Sequence, residues 1–169
     1  MANMQSDQKL VSETAELPGW SLSHLNYPTF RMTLLVKVMG RLTIRQFAED
    51  GDLNYAEWRV LGRLAEMPGG ATVGQIADMA WVDRAEVSRA AGALEARDYV
   101  SRRENPVDRR APLLSLAEKG QASYLAALEP RKAFHEALLE DLSAEERVAF
   151  DQILLKVGGK LAVMLENER

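Results

Sequence analysis

At 169 residues, close to the ~150 expected of one domain, the chain is long enough to bury a full core. It holds no cysteine, which excludes thiol redox sensing, cysteine nucleophiles and cysteine zinc sites. No apolar run approaches the ~18 residues of a membrane span, and the N-terminus lacks a basic-then-apolar leader, so a cytoplasmic protein without a membrane partner is expected. The net charge of −4 argues against a nucleic-acid binder only until its distribution along the chain is read.

Residues 1–25 are polar and aperiodic and read as a mobile arm. Pro28 suits a first helical position, and Met32, Leu35, Met39 and Leu42 then recur at the spacing of one buried helix face, predicting a long amphipathic helix that ends near Gly51. Asn54 and Glu57 have the spacing of a capping box, with Leu53 and Trp58 as its hydrophobic staple, so a second helix should start at Tyr55. Its apolar face is Trp58, Leu61, Leu64 and Ala65, and Pro68-Gly69-Gly70 stops it. Thr72 with Gln75 repeats the box, with Ala71 and Ile76 as the staple, and opens a short helix to about Met79. Asp83 with Glu86 makes a third, flanked by Val82 and Val87. Two capped helices joined by about four residues have the spacing of a helix-turn-helix.

In the helix after Asp83, Val87, Ala90, Ala91 and Leu94 share one face and would anchor it. The other face, Arg84, Ala85, Ser88, Arg89 and Gly92, is small and basic, which lets a backbone approach base edges in the major groove. Asp98 stands where a glycine often ends such a helix and tolerates the left-handed conformation. Val100 to Arg103 and Ala111 to Leu116 then read as a strand pair around a loop holding Asn105-Pro106 and Asp108. Leu114 and Leu116 should face inward, and Pro112 belongs on an exposed edge because it cannot donate to a ladder. Arg102 and Arg103 are neighbours on a strand and point to opposite faces, so one of the two should meet phosphate. Between Arg84 and Arg110 seven arginines stand against five carboxylates, a surplus of two, which leaves the rest of the chain at −6. Every cation in that stretch is arginine, whose planar fork suits phosphate oxygens and guanine edges. Helices resume after Ala117, with a kink or break at Pro130. Ser143 and Glu146 cap the last one, whose stripe of Ile153, Leu154, Val157, Leu161 and Leu165 exceeds what one such domain needs and predicts a dimer interface.

These elements amount to a mainly α (α+β) fold: a winged helix-turn-helix with a two-stranded wing, and N- and C-terminal helices forming a dimerisation region. In order and spacing they resemble the MarR-type winged-helix regulators from about Met32 to the C-terminus, most densely from Leu53 to Gly120. The resemblance rests on Trp58-Arg59-Val60-Leu61, Val73-Gly74-Gln75-Ile76-Ala77, Val87-Ser88-Arg89, Leu94-Glu95, Tyr99-Val100 followed by Arg102, the wing tip with Asp108 and Arg110, and the exit Leu116 with Lys119-Gly120. It implies one domain over residues 26–169, with a winged core at about 53–117 and dimerisation helices at about 28–50 and 118–166. It further implies an obligate homodimer on a pseudo-palindromic operator in double-stranded DNA, each subunit placing a recognition helix in the major groove and a wing in the minor groove. Arg110 matches the wing arginine of the minor groove, and Asp108 the aspartate that helps hold it. Two positions depart from the pattern: Ala117 where threonine is frequent, which removes an N-cap worth ~1 kcal/mol, and Asp98 for the common glycine.

The residues expected to meet DNA are Thr72, Gln75, Arg84, Ser88, Arg89, Arg102, Arg103, Asp108, Arg109 and Arg110. The family often binds small aromatic anions between its dimer helices and its winged lobe, and Trp20, His24, Tyr27, Arg31 and Trp58 are the candidates for such an effector. Against that stands a plainer reading, in which Trp58 is only a staple, Arg31 a surface cation, and Trp20 and Tyr27 parts of a dimer core. His24 and His135 lack ligand spacing, so no metal is expected, nor any cofactor. No nucleophile-base pair or Gly-rich phosphate loop is present, which argues against an enzyme. The expected function is a homodimeric, sequence-specific DNA-binding transcriptional regulator, a repressor released by a small aromatic or phenolic anion. The alternative is a winged-helix module that binds protein without touching DNA.

Overall fold

The computed structural model of the chain describes residues 17–21 and 23–168, so most of the expected mobile arm lies outside the described residues. Its elements run α1 (Pro28–Asp50), α2 (Tyr55–Ala65), α3 (Val73–Ala80), α4 (Arg84–Glu95), β1 (Val100–Arg103), β2 (Leu113–Leu116), α5 (Glu118–Ala137) and α6 (Ala144–Glu166). The backbone falls into two compact units that meet between Tyr55 and Ala56.

In the first unit Pro28 opens α1, and Gly51, left-handed at φ 77°, closes it by donating its N–H to the Phe47 carbonyl. The helix starts and ends as its sequence predicts, but its buried stripe is turned. Thr43 and Phe47 are buried, whereas Leu42 is exposed and Met32, Leu35 and Met39 are half-buried. Phe47 is the residue whose ring meets Tyr55, at 5.9 Å between centroids, and this aromatic contact near the turn decides which side faces in.

In the second unit the core is built from Val60, Leu61 and Leu64 of α2, Ile76 and Ala77 of α3, Val87, Ala90, Ala91 and Leu94 of α4, and Tyr99, Val100 and Leu114 around the wing. Burying a side chain of the size of Leu or Ile contributes ~1.5–3 kcal/mol, so this cluster dominates the stability of the winged lobe. The α2 face differs from expectation in that Val60 is buried while Trp58 is half-buried and Ala65 exposed. The turn between α3 and α4 has three residues, Trp81 to Asp83, and is made possible by Trp81 in the left-handed region at φ 55°. Asp98 is left-handed as well, at φ 61°, in the turn that follows α4. β1 and β2 pair antiparallel, Val100 with Leu116 through Arg103 with Leu113. β2 begins after Pro112 and not at Ala111, since a residue without an N–H cannot enter the ladder. Leu114 is fully buried and Leu116 half-buried. Ala71 adds a bridge on the far side of β2, exchanging N–H···O bonds of 2.9 and 2.8 Å with Leu114, and so ties the entry of α3 to the wing.

The start of α5 is fastened to the other end of the wing. Ala117, its N-cap, makes no side-chain capping bond, and its N–H donates instead to the Tyr99 carbonyl at 3.1 Å. A Cβ at Gly120 would stand 2.0 Å from that same carbonyl oxygen, so no larger residue fits. Arg97 and Lys119 lie over the buried Tyr99 ring, each 4.7 Å from its centroid, and Lys119 Nζ donates to the Arg97 carbonyl. Glu57, predicted to be a cap, is buried with its Oε2 2.8 Å from Arg97 Nη2. The helix does not break at Pro130. Both Pro130 and Ala126 are exposed there, so water can take the carbonyl that proline leaves without a donor. Ser143 and Glu146 form the expected reciprocal cap of α6, and none of that helix's residues is buried.

Candidate nucleic-acid interface

Thr72 and Gln75 cap α3 reciprocally: Thr72 Oγ1 accepts from the Gln75 N–H at 3.2 Å, and Gln75 Oε1 accepts from the Thr72 N–H at 2.9 Å. Each keeps a donor, the threonine hydroxyl hydrogen and the glutamine amide, for an incoming acceptor. The cap of α4 is simpler than its sequence suggests. Asp83 Oδ1 accepts from the Ala85 N–H at 2.6 Å, but Glu86 does not reach back. It is drawn 3.4 Å from Arg59 Nη1, a partner 27 positions away that local spacing cannot reveal.

On the outer face of α4, Arg84, Ala85, Ser88, Arg89 and Gly92 are all exposed, and the inner face of Val87, Ala90, Ala91 and Leu94 is buried, as the pattern predicts. Between this helix, the start of α3 and the wing lies an open groove of about 510 Å³. Thr72, Gln75, Arg84, Ser88, Arg102 and Arg110 line it together. Six of the ten expected residues thus converge from four chain segments. Arg84 rests against Gly74, 3.6 Å from where a Cβ would be, and lies 3.6 Å from Asp78 Oδ1. Arg102 reaches both oxygens of Glu95.

The other four residues lie elsewhere. Arg103 turns to the opposite face of β1, where it donates to the Gly69 carbonyl and to Ser115 Oγ. Arg89 is exposed on α4 outside the groove lining. At the wing tip Arg109 pairs with Glu104 at 2.9 Å, and Asp108 Oδ1 accepts the backbone N–H of Arg110 at 2.9 Å. Asp108 therefore shapes the turn that presents Arg110. Asn105, read in the sequence only as part of a turn signal, is buried and holds the loop from inside. It donates to the Ala111 carbonyl at 2.9 Å and accepts from the Val107 N–H at 3.0 Å.

Residues 51–111, which hold the helix-turn-helix and most of the wing, match the MarR family model. Over that stretch the chain is similar to the MarR family, and it has the fold of a DNA-binding transcriptional regulator. A similar curated protein is the uncharacterized HTH-type transcriptional regulator YxaD of Bacillus subtilis (strain 168), 29% identical over 107 residues that span 63% of this chain and 74% of YxaD. Among solved structures, a mutant MarR from E. coli complexed with operator DNA aligns at TM-score 0.68 with 22% identity, covering 81% of this chain and 98% of that one. Bordetella bronchiseptica BpsR, described with regulation of its DNA binding by 6-hydroxynicotinic acid, aligns at TM-score 0.65 with 22% identity, covering 85% of this chain and 98% of BpsR. These two likenesses establish the shared fold.

The aromatic residues of the chain fall in both units. In the first, the Arg31 guanidinium lies 5.3 Å from the centroid of the Trp20 ring, while His24 and Tyr27 are exposed. In the second, Trp58 stacks on Tyr124 with centroids 5.8 Å apart, beside a cleft of about 160 Å³ that Gly62 and Arg63 also line. Tyr124 and Arg63 were not foreseen, because contact between α2 and α5 is fixed by the chain's path and not by spacing. Among the described residues no group of three or more His, Cys, Asp or Glu could hold a metal, and no helix is long and apolar enough to cross a membrane.

Proposed function

We propose that the protein acts as a homodimer that binds a pseudo-palindromic operator in double-stranded DNA through the groove between α3, α4 and the wing. The observation that carries this reading is the convergence of Arg84, Arg102 and Arg110 with the donors of Thr72, Gln75 and Ser88 on one open concavity. Arginines and hydroxyls at a helix start are the groups that hold phosphate, and the small exposed face of α4 leaves room for base edges. The operator complex of E. coli MarR supports the same use of the fold. The apolar stripe of α6 supports the dimer: Ile153, Leu154, Leu161 and Leu165 all stand open to solvent in the single chain, which a second copy would cover.

In this reading the protein is a repressor and a small aromatic anion releases it. Two recognition helices must stand roughly 34 Å apart to enter successive major grooves, and an effector acts by favouring a different spacing. Arginine beside stacked aromatic rings suits an aromatic carboxylate, a pairing present at Trp20 with Arg31 and, separately, at Trp58 and Tyr124 with Arg63. The effector of BpsR is of that chemical class.

The test is selection of bound sites from random DNA with the purified protein, followed by titration of the recovered duplex. A palindromic site is expected, with affinity falling log-linearly with salt. Arg110→Ala should weaken binding at least tenfold, about 1.4 kcal/mol, with the dimer intact by light scattering. Unchanged affinity at matched salt removes the wing from the reading, and no enriched site favours a protein-binding module. Small aromatic acids should then displace the duplex; none doing so removes the effector.

A further inference from the structure

The arginines around the groove are not balanced alike. Arg102 Nε lies 3.2 and 3.1 Å from the two carboxylate oxygens of Glu95, its Nη2 lies 3.1 Å from Oε2, and both side chains are close to two-thirds shielded. Arg84 meets Asp78 only at 3.6 Å, with both side chains largely exposed. Arg109 and Glu104 are close but more exposed than the Arg102 pair. An exposed single pair contributes little and yields readily to another anion, whereas a shielded guanidinium that engages both oxygens holds its partner. Arg110 has no ion pair among the described residues.

Glu95 stands seven positions after Ser88 and therefore on the same side of α4, the side that would face the duplex. A carboxylate there repels phosphate. An arginine that it neutralises releases few counterions from DNA and adds little to attraction for DNA of arbitrary sequence. Nη1 is the nitrogen that Glu95 leaves unengaged, and its hydrogens remain for an acceptor that the correct site supplies.

We propose that Glu95 is a specificity-determining residue, an internal counter-anion that holds Arg102 in the groove and withholds its charge from unrelated DNA. The inference rests on the reading of the groove as the DNA surface.

The experiment compares wild type, E95Q, R102A and E95Q/R102A on two probes over a salt series: a short mixed-sequence duplex and the duplex recovered by selection. E95Q should bind the mixed-sequence duplex more tightly, with its log-log salt slope steeper by up to ~0.9, the contribution of one added phosphate contact. Binding of the selected duplex should rise less, so that discrimination falls severalfold, and E95Q/R102A should match R102A. E95A should act in the same direction, and thermal melting confirms that each variant is folded. Unchanged binding of the mixed-sequence duplex by E95Q overturns the proposal. Weaker binding of both duplexes also overturns it, since Glu95 would then only orient Arg102. An equal gain in the R102A background overturns it too, because the effect would not pass through Arg102. Wild type that binds neither probe removes the DNA-binding reading itself.

Discussion

α4 and α6 are both amphipathic and both begin at a side-chain cap, yet the 12-residue α4 buries four side chains and the 23-residue α6 buries none. The inner face of α4 finds Leu61, Leu64 and Ile76 within its own lobe as fellow core residues. The apolar residues of α6 form two faces. Phe150, Ile153, Leu154, Val157, Leu161 and Leu165 make the broad one, and Val148 and Leu155, one heptad apart, mark a narrow one on the opposite side. One helix is stabilised by the chain that contains it. The other has the pattern of a helix completed by a partner, so monomer stability and assembly are separable.

That separation can be broken from either side. Leu94→Ala removes a side chain with no exposure and should destabilise the winged lobe by about 2–5 kcal/mol, read as a lowered denaturation midpoint. A much smaller loss would mean that the lobe does not stand on this core. Leu161→Glu, on the broad face of α6, should weaken the proposed dimer at least tenfold, about 1.4 kcal/mol, and shift the sedimentation coefficient towards the monomer while circular dichroism stays close to that of wild type. A dimer unaffected by it would place the interface elsewhere. The smallest effect is a gain. Ala117→Ser supplies the capping oxygen that α5 lacks and should raise stability by ~0.5–1 kcal/mol, seen as a higher melting temperature. No gain would mean that a side-chain oxygen at this position does not reach the N–H groups of the first turn.

The helix-turn-helix was legible because its signals are local. Thr72 and Gln75 stand three residues apart, as do Ser143 and Glu146, and in both cases a capping box forms. The alternation of Arg102 and Arg103 was legible for the same reason, since a strand sends neighbours to opposite faces. What escaped was decided at a distance. Glu86 has the spacing of a cap but answers to Arg59, and Glu57 is buried against Arg97. The bridge from Ala71 to Leu114 involves a single residue and carries no period. Pro130 gives a local signal that an exposed helix face overrides. In the groove the cations were readable from the sequence, whereas their carboxylate partners Asp78 and Glu95 emerge only when α3, α4 and β1 are brought together.

Gly120 seats α5 directly on the Tyr99 carbonyl, and Arg97 and Lys119 close over the same ring. A bearing with so little clearance has no backlash. A rotation applied along α5 would be passed to β1 and the end of α4 instead of being absorbed at its root. Loosening it at this point, without touching the groove or an apolar stripe, would test whether the proposed release by an effector passes through this joint.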